Sequence, residues 1–376
     1  MFTLEVVSTL ARLEELGPEW DRLANVSGSA LLSHAWFVES ARAFAGDGEL
    51  SIHIARDDRG VRAIAPLAIR RSGGVSRLQM LGCENYEPEA FLWDDAAALA
   101  EVCASVLRLR RPLLLSRLED ASRELVLLRC GSAGPGIPIV RPSSTQSHAN
   151  PIGADCATFE ARMNAKQRAE LRRRRKKLEE LGPVTFEALA PDQDAFLAPL
   201  DAFFSVEGGG WKRQAGTAIL QNADAHRFYL GYAREAARRG LLRLFFLRLN
   251  GKVISGQLHI QFGGRLWALK IGYDEAYANS SPGALLTHEV LRYGCEQSLL
   301  AFEHLGSAEP WQRRWPVETR DYSSLRFYPL SVRGAQALAV DALGLLRARV
   351  ARLTARFATA RQGAAVPGGL PIPGRA

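Results

Sequence analysis

The stretch LLRLFFLRLNGKVISGQLHIQFGGRLWALKIGYDE, residues 241–275, decides the fold. It holds three runs rich in apolar and β-branched residues, separated by Asn-Gly and Gly-Gly pairs. Two-residue turns of this kind join neighbouring antiparallel strands. A helical pattern, GALLTHEVLRYGCEQSLL over 283–300, and a short apolar run, AFEHLG over 301–306, follow. Together these segments predict the order β-β-β-α-β.

The same order occurs earlier in the chain. Three predicted strands lie within residues 50–82, a helix over 96–110 and a further strand over 112–118. Helical patterns precede both sets of strands, within 10–45 in the first half and around 158–181, 192–206 and 222–239 in the second. We therefore predict a mixed α/β fold made of two copies of one unit, with helices packed on the sheets.

The domain boundaries follow from this duplication. The segment GPGIPIVRPSSTQSHANPIG, residues 134–153, is rich in Pro, Gly and Ser, which is typical of a connection between domains. We predict a first unit over 1–150, a second over 151–332, and a basic helix with a Pro/Gly tail over 333–376. The 376 residues suffice for two such domains.

Composition excludes several protein classes. Hydrophobic residues make up 47% of the chain, which favours a globular protein. No run of 18 apolar residues occurs, and Glu5 and Glu14 lie where a signal peptide would be basic and apolar. The five cysteines lack metal-ligand spacing, so we expect reduced thiols and no metal. We expect a cytoplasmic protein, either free or peripheral to the inner membrane.

Two segments carry the positive charge. Residues 162–177 contain nine basic residues and one acidic residue, and the chain outside this segment and the final one is net negative. The segment is predicted to form a helix that ends at Gly182-Pro183. Its residues from Arg172 to Lys177 form either a solvated charged face or a site for an anionic surface, a coenzyme phosphate, RNA or an acidic polysaccharide. DNA is not an expected partner.

The second basic segment is the final helix. Its apolar residues recur three and four positions apart and so form one stripe. We expect this stripe to dock on the body of the protein, while a dimer seam and an anionic membrane surface stay open. The oligomeric state is left undetermined. The stripe consists of Leu343, Leu346, Val350, Leu353 and Phe357.

The two halves differ at the start of their last helix. In the second half, Ser280 and Ser281 can cap the helix, Pro282 suits its first position, and Gly283 lets a ligand approach the backbone. The free N–H groups and positive end of such a helix favour an anion. In the first half, Asp94 and Asp95 stand at this position, where they satisfy the same donors and repel phosphate. Only the second half is predicted to hold an anionic donor.

The chain resembles the CelD-like acyltransferases of bacterial cellulose and exopolysaccharide gene clusters, which are GNAT proteins related to the Fem-type aminoacyltransferases. The resemblance is most specific from about Lys166 to Trp315. It rests on RAELRRRRKKLEELG, on FFSVEGGGWKRQAGTAI, on the strand end KIGYDE and on the Pro-Gly helix start. One departure lies near the end, where the family has an aromatic-Lys pair and this chain has Trp311-Gln312 followed by Arg313.

The resemblance implies acyl transfer from a thioester, with acyl-CoA as cosubstrate and no tightly bound cofactor. Acyl transfer needs a base, a group that stabilises the oxyanion or protonates the leaving thiolate, and groups that bind the phosphates of the donor. Glu207 is the predicted base, with a structural ion pair to Lys212 as its alternative. Lys270 is predicted to hold a substrate anion or the oxyanion, with a position on the solvated face of the strand as its alternative. Tyr273 is predicted to protonate the thiolate, with half-buried packing as its alternative. Ser281, Gly283 and Ala284 are the predicted donor site, and the predicted substrate-binding residues are Trp211, Lys212, Asp274 and Arg313.

Three functions stay open at this point. The leading hypothesis is an acyltransferase acting on an amine or hydroxyl of a small molecule or saccharide, with acyl-CoA as donor. The second keeps the fold and takes aminoacyl-tRNA as donor, with the arginine-rich helix on the RNA. The third is a non-catalytic accessory protein that binds polysaccharide or a synthase complex, motivated by Gln312 and the basic final helix.

Overall fold

The computed structural model describes residues 1–44, 49–131, 134–153, 155–209, 216 and 218–363. The strands are β1 Thr3–Val7, β2 Glu49–Asp57, β3 Gly60–Ser72, β4 Val75–Met80, β5 Leu92–Trp93, β6 Leu113–Glu119, β7 Gly136–Pro142, β8 Ser147–Pro151, β9 Val184–Leu189, β10 Leu242–Leu249, β11 Lys252–Phe262, β12 Arg265–Tyr273, β13 Ala301–Glu303, β14 Glu318–Arg320 and β15 Tyr322–Pro329.

The helices are α1 Leu10–Glu15, α2 Gly17–Ser27, α3 His34–Phe44, α4 Ala96–Arg108, α5 Arg123–Cys130, α6 Cys156–Ala161, α7 Ala165–Glu179, α8 Leu197–Glu207, α9 Ala223–Arg238, α10 Pro282–Glu296 and α11 Val332–Gly363. Short 3-10 helices cover Ala30–Leu32, Cys83–Asn85, Ile219–Gln221, Glu275–Ser280 and Pro310–Arg314. None of the helices in the described part of the chain combines the length and hydropathy that a bilayer crossing requires.

Two mixed sheets form the framework. The first has the order β1-β2-β3-β4-β6-β15-β7, with β5 paired to β3, and the second has the order β14-β8-β13-β12-β11-β10-β9. In each sheet an antiparallel three-stranded meander leads through a helix, α4 or α10, to a parallel strand, β6 or β13. The predicted β-β-β-α-β order is confirmed in both halves, as is the mixed α/β class.

Sheet membership does not follow the predicted domain ranges. β15, residues 322–329, lies between β6 and β7 in the first sheet, although the predicted second unit runs to residue 332. β8, residues 147–151, lies almost wholly within the predicted first unit and yet belongs to the second sheet. The Pro-rich connection is therefore itself made of two strands, one in each sheet. Pro138 and Pro142 lie on β7, an edge strand, where a residue can lack a backbone donor.

The predicted helix over 158–181 is two helices. Asn164 caps α7 through a reciprocal pair of hydrogen bonds with Gln167, a capping box that fixes a new helix start three residues after α6. The buried residues of α7 are Leu171 and Leu178. Four arginines and two lysines, residues 172–177, lie between them in the sequence. Arg172, Arg173, Lys176 and Lys177 are exposed, whereas the two central arginines are half-buried.

The final helix does not dock through its predicted stripe. Leu343, Leu346 and Val350 are 53%, 59% and 58% exposed, so the expectation that they pack on the body was wrong. The side chains at 353 and 357 and the tail 364–376 lie outside the described residues. The helix docks instead through Ala337 and Asp341, which face the first sheet. Apolar spacing indicated which residues share a face, but the ion pairs of Asp341 determine which face meets the body.

Candidate functional site

The second sheet opens beside β12. The parallel pairing of β12 with β13 covers only Arg265–Trp267 and Ala301–Glu303, whereas β12 continues to Tyr273. A register shift in the pairing with β11, between Leu258 and His259, leaves Leu269 as a bulge. Bulges of this kind re-aim a strand and end its pairing. The second half of β12 therefore borders a gap, and α10 begins at the rim of that gap.

A cavity of about 480 Å³ lies at this gap. It is bordered by the end of α8, the end of β12, the start of α10 and the 3-10 helix Pro310–Arg314. Such a volume is in the range of small-ligand sites. The lining residues are Glu207, Gly209, Ile271, Gly272, Tyr273, Ala278, Ser281, Gly283, Ala284, Glu309 and Trp311.

The start of α10 has no side-chain cap. Ser281 adopts a left-handed conformation with φ 50° and ψ 55°, and its hydroxyl makes no capping hydrogen bond. Pro282, at the first helical position, has no N–H, and Gly283 follows it at the cavity wall. In the first half, Asp95 accepts hydrogen bonds from the N–H groups of Ala97 and Ala98. The predicted capping of the first-half helix by an aspartate is therefore confirmed, whereas the prediction that Ser281 can cap α10 was wrong.

Glu207 is the last residue of α8 and is 2% exposed. One carboxylate oxygen accepts the N–H of Ile219 at 3.1 Å. The backbone of Glu207 lies directly over β12, since a Cβ built on Gly272 would lie 2.5 Å from the Glu207 Cα. Only glycine fits at position 272 with this packing. Glu207 thus lies at the cavity wall with a fixed backbone.

Tyr273 is half-buried at the end of β12, and its ring lies against Gly283. A Cβ at position 283 would come 3.4 Å from the ring. The structure therefore brings together Glu207, Tyr273 and the predicted donor residues Ser281, Gly283 and Ala284 around one cavity.

Lys270 lies in a different environment from the one predicted. Its ammonium is 5.3 Å from the centre of the Tyr229 ring and is not among the groups that line the cavity. Tyr229, and then the carboxylates of Glu87 and Glu207, raise the pKa of Lys270 above its usual range, against the opposing effect of burial. Burial raises the pKa of Glu87, while Lys270 acts in the opposite direction. Lys270 is therefore a cation held between the two halves, and its contact with substrate stays a prediction.

The two predicted substrate-binding residues that the structure describes, Asp274 and Arg313, do not line the cavity. Asp274 pairs with Lys252 at 2.8 Å and caps the next 3-10 helix through the Ala276 N–H. The hydrogen bond from Lys252 lowers the pKa of Asp274 more than any other contact. Arg313 is exposed, and its carbonyl accepts a hydrogen bond from Gln167. Trp211 and Lys212 lie outside the described residues.

Sequence reasoning missed several residues of the cavity wall. Trp311 and Glu309 line it from the 3-10 helix near the end of the chain, and Gln312 holds that helix in place. The Gln312 side-chain oxygen is 2.8 Å from His148 Nδ1 and also accepts the Glu309 N–H at 2.8 Å. The departure from the family pattern at Gln312 is thus a buried structural contact. Trp311, the aromatic residue beside Gln312, was the only sequence signal for this part of the cavity wall.

The basic helix α7 lies next to the start of α10. Arg174 donates to the carbonyl of Asn279 and pairs with Glu170 at 2.6 Å. A small cavity of about 170 Å³ separates α7 from Ser281 and also contacts Lys166 and Arg314. Lys166, Arg174 and Arg314, together with the carboxylate of Glu170, therefore line this cavity on the outer side of the helix start. Among the described residues, no cluster of three His, Cys, Asp or Glu has a metal-binding arrangement.

Comparison with known proteins agrees with this geometry. Residues 165–313 match the family model of the acetyltransferase (GNAT) domain. No curated protein matches the chain significantly in sequence. The structure of FemX is similar with a TM-score of 0.58 at 12% identity, over 84% of this chain and 96% of FemX.

Two further structures are similar at the level of the fold. The C-terminal domain of a protein named as a lysylphosphatidylglycerol synthetase, from Agrobacterium fabrum, has a TM-score of 0.53 at 14% identity, covering 90% of this chain and 97% of that one. A protein of unknown function from Bacteroides thetaiotaomicron has a TM-score of 0.54 at 10% identity, covering 87% and 99%. The chain thus has a mixed α/β fold of two GNAT-like units, and the matched domain contains the cavity at α10.

Proposed function

We propose that the protein is an acyltransferase that takes an acyl group from acyl-CoA and passes it to an amine or hydroxyl acceptor. The uncapped start of α10, opening on a cavity of about 480 Å³, carries this proposal. The positive end of that helix favours the pyrophosphate of the donor, and Gly283 leaves room for it at the backbone. The donor supplies the activated thioester, and the chain supplies the grip on its phosphates.

The roles of the side chains follow from their positions. Glu207, at the cavity wall, would accept the proton of the acceptor amine or hydroxyl as the acyl group is transferred. Tyr273, whose ring lies against Gly283, would donate a proton to the leaving thiolate. Lys270 would keep its charge between the halves, beside the Tyr229 ring. The resemblance to CelD-like proteins favours a saccharide acceptor in envelope or exopolysaccharide synthesis.

Calorimetric titration with coenzyme A and with acyl-CoA species of several chain lengths tests the donor. We expect binding that Gly283→Asp abolishes, because the substitution adds a charge and a side chain where phosphate must approach. Ala97→Asp is the matched control, since Ala97 is exposed at the second position of α4, the equivalent helix of the first half. No heat at millimolar ligand, or equal loss in both variants, would contradict the proposal.

Aminoacyl-tRNA is the second candidate donor. The exposed Arg172, Arg173, Lys176 and Lys177 lie on the helix whose Arg174 contacts the segment before α10. A phosphate backbone could follow this surface toward the cavity, and such binding falls steeply with salt. Filter binding of tRNA at low and high salt distinguishes the two donors. Absence of binding at low salt rejects tRNA, and the net negative charge of most of the chain makes acyl-CoA our preferred donor.

A further inference from the structure

Among the side chains that the structure describes, those of the final helix contact the body through one face. Ala337 is fully buried against Val75 and Tyr328. One turn later Asp341 accepts two hydrogen bonds from Arg77, each at 2.8 Å, and pairs with Arg326 at 2.7 Å. These contacts hold the first turns of α11 against the first sheet and fix the rotation of the helix about its axis.

The opposite face is apolar and exposed. On a helical projection of α11 at 100° per residue, four apolar residues fall within about 60° of one another. On average they point about 140° to 180° away from the direction of Ala337 and Asp341. We call them the exposed stripe. They extend over about 27 Å of helix at 1.5 Å per residue. The exposed stripe consists of Val332, Leu343, Leu346 and Val350, which are 86%, 53%, 59% and 58% exposed.

Positive charge flanks the exposed stripe on both sides. Arg347 and Arg349 are exposed and fall on either side of it on the helical projection. The sequence continues in the same way, because residues 342–376 contain six arginines and no Asp or Glu. An apolar stripe between rows of arginines is typical of a helix that lies in the plane of an anionic lipid surface.

The corner from which the helix leaves the body extends this surface. Leu330, two residues before the helix, is 57% exposed, and Ile137 on β7 is 45% exposed. Arg110 donates a hydrogen bond to the Leu330 carbonyl at 2.7 Å, which brings another cation to the same corner. The body thus adds apolar and basic groups next to the start of the exposed stripe.

Charge argues against a second copy of the chain as the occupant. Two such helices packed stripe to stripe would place arginines of one beside arginines of the other in either orientation. A seam of this kind needs acidic partners at its flanks, and residues 342–376 supply none. The phosphates of anionic lipids supply the missing negative charge, and the acyl boundary covers the apolar side chains.

We propose that α11 binds the protein to an anionic bilayer surface through the exposed stripe, with Arg347 and Arg349 on lipid phosphates. The helix lies in the plane of the interface, while Ala337 and Asp341 keep it attached to the first sheet. This binding is independent of the acyl-transfer function.

Vesicle sedimentation of the full-length protein tests the proposal. We expect binding to vesicles of phosphatidylglycerol and phosphatidylcholine, none to vesicles of phosphatidylcholine alone, and weakening as salt rises. Leu346→Glu should lower the partition coefficient about tenfold or more, because it removes one apolar anchor and adds a repelled charge. Leu345→Glu is the matched control. Its side chain is 47% exposed on the same helix but points about 140° away from the centre of the stripe.

Both substitutions lie at exposed positions, so equal melting temperatures confirm that the variants are folded. The proposal is overturned by absence of binding to anionic vesicles, or by equal losses in Leu346→Glu and Leu345→Glu. Ultracentrifugation without lipid gives the third outcome. A dimer that Leu346→Glu converts to a monomer would assign the exposed stripe to a second copy of the chain.

Discussion

Replacing Asp341 by Asn should destabilise the protein, because this carboxylate joins the final helix to the first sheet. It accepts hydrogen bonds from both terminal nitrogens of Arg77, from Arg326 and from the Tyr328 hydroxyl, all between 2.6 and 2.8 Å. Arg77 is only 4% exposed. Loss of the negative charge therefore leaves a buried guanidinium without its counter-ion.

The size of the effect follows from the pKa. Burial raises the pKa of Asp341, but hydrogen bonds from Arg77, Tyr328 and Arg326 outweigh burial and lower it from 3.8 to about 2. At about 1.4 kcal/mol per pKa unit, the ionised form contributes roughly 2 kcal/mol. This contribution is present above about pH 4 and is lost as the pH falls toward 2. The uncompensated Arg77 adds to the cost, so we expect a loss of about 3 kcal/mol at pH 7.

Urea unfolding at pH 7, followed by tryptophan fluorescence, measures this loss. Leu346→Ala is the informative control, because Leu346 is 59% exposed and its truncation should change the free energy of unfolding by less than about 0.5 kcal/mol. If the helix instead docked through the stripe predicted from sequence, Leu346→Ala would cost about 2 to 5 kcal/mol. A larger loss for Leu346→Ala than for Asp341→Asn would refute the reasoning.

Three further predictions concern a buried carboxylate, the packing of β12 against α8, and the proposed acyl transfer. Burial raises the pKa of Glu89 from 4.5 to about 7. The free energy of unfolding should therefore fall by about 3 kcal/mol as the pH rises from 4.5 to 7. Glu89→Gln should remove this fall in thermal scans. Gly272→Ala should cost about 1 to 3 kcal/mol in urea unfolding, because its Cβ would meet the Glu207 backbone. Tyr273→Phe should lower kcat while leaving acyl-CoA binding unchanged in calorimetry; an unchanged kcat would remove Tyr273 from the proposed chemistry.

The sequence predicted the features that depend on local pattern. The strand alternation around the Asn-Gly and Gly-Gly turns was sufficient to predict both meanders, since turn chemistry and apolar runs act within a few residues. The cap of α4 by Asp95 was likewise visible, because a helix cap acts on N–H groups two or three residues away. The same rule predicted a serine cap on α10, which the left-handed backbone at Ser281 does not form. These local signals located both the unit and its candidate donor site.

Features set by distant partners could not be predicted in this way. Nothing near Lys270 indicates that Tyr229 and Glu87 surround its ammonium, because both come from other parts of the chain. The insertion of β15 between β6 and β7 is similarly a pairing across most of the sequence. A periodic stripe shows that its residues share one face of the helix. Which face packs on the body depends on distant contacts, such as the ion pair of Asp341 with Arg77.

The two halves of the molecule differ at one helix position. In the first half Asp95 satisfies the helix start from within the chain, and α4 packs on β2 and β3. In the second half the equivalent donors have no side-chain cap and open on a cavity. The two halves also interact electrostatically, because Glu87 of the first half helps to raise the pKa of Lys270 in the second. The chain thus combines a unit whose helix start is capped from within with a unit whose helix start has no side-chain cap and lies at a cavity.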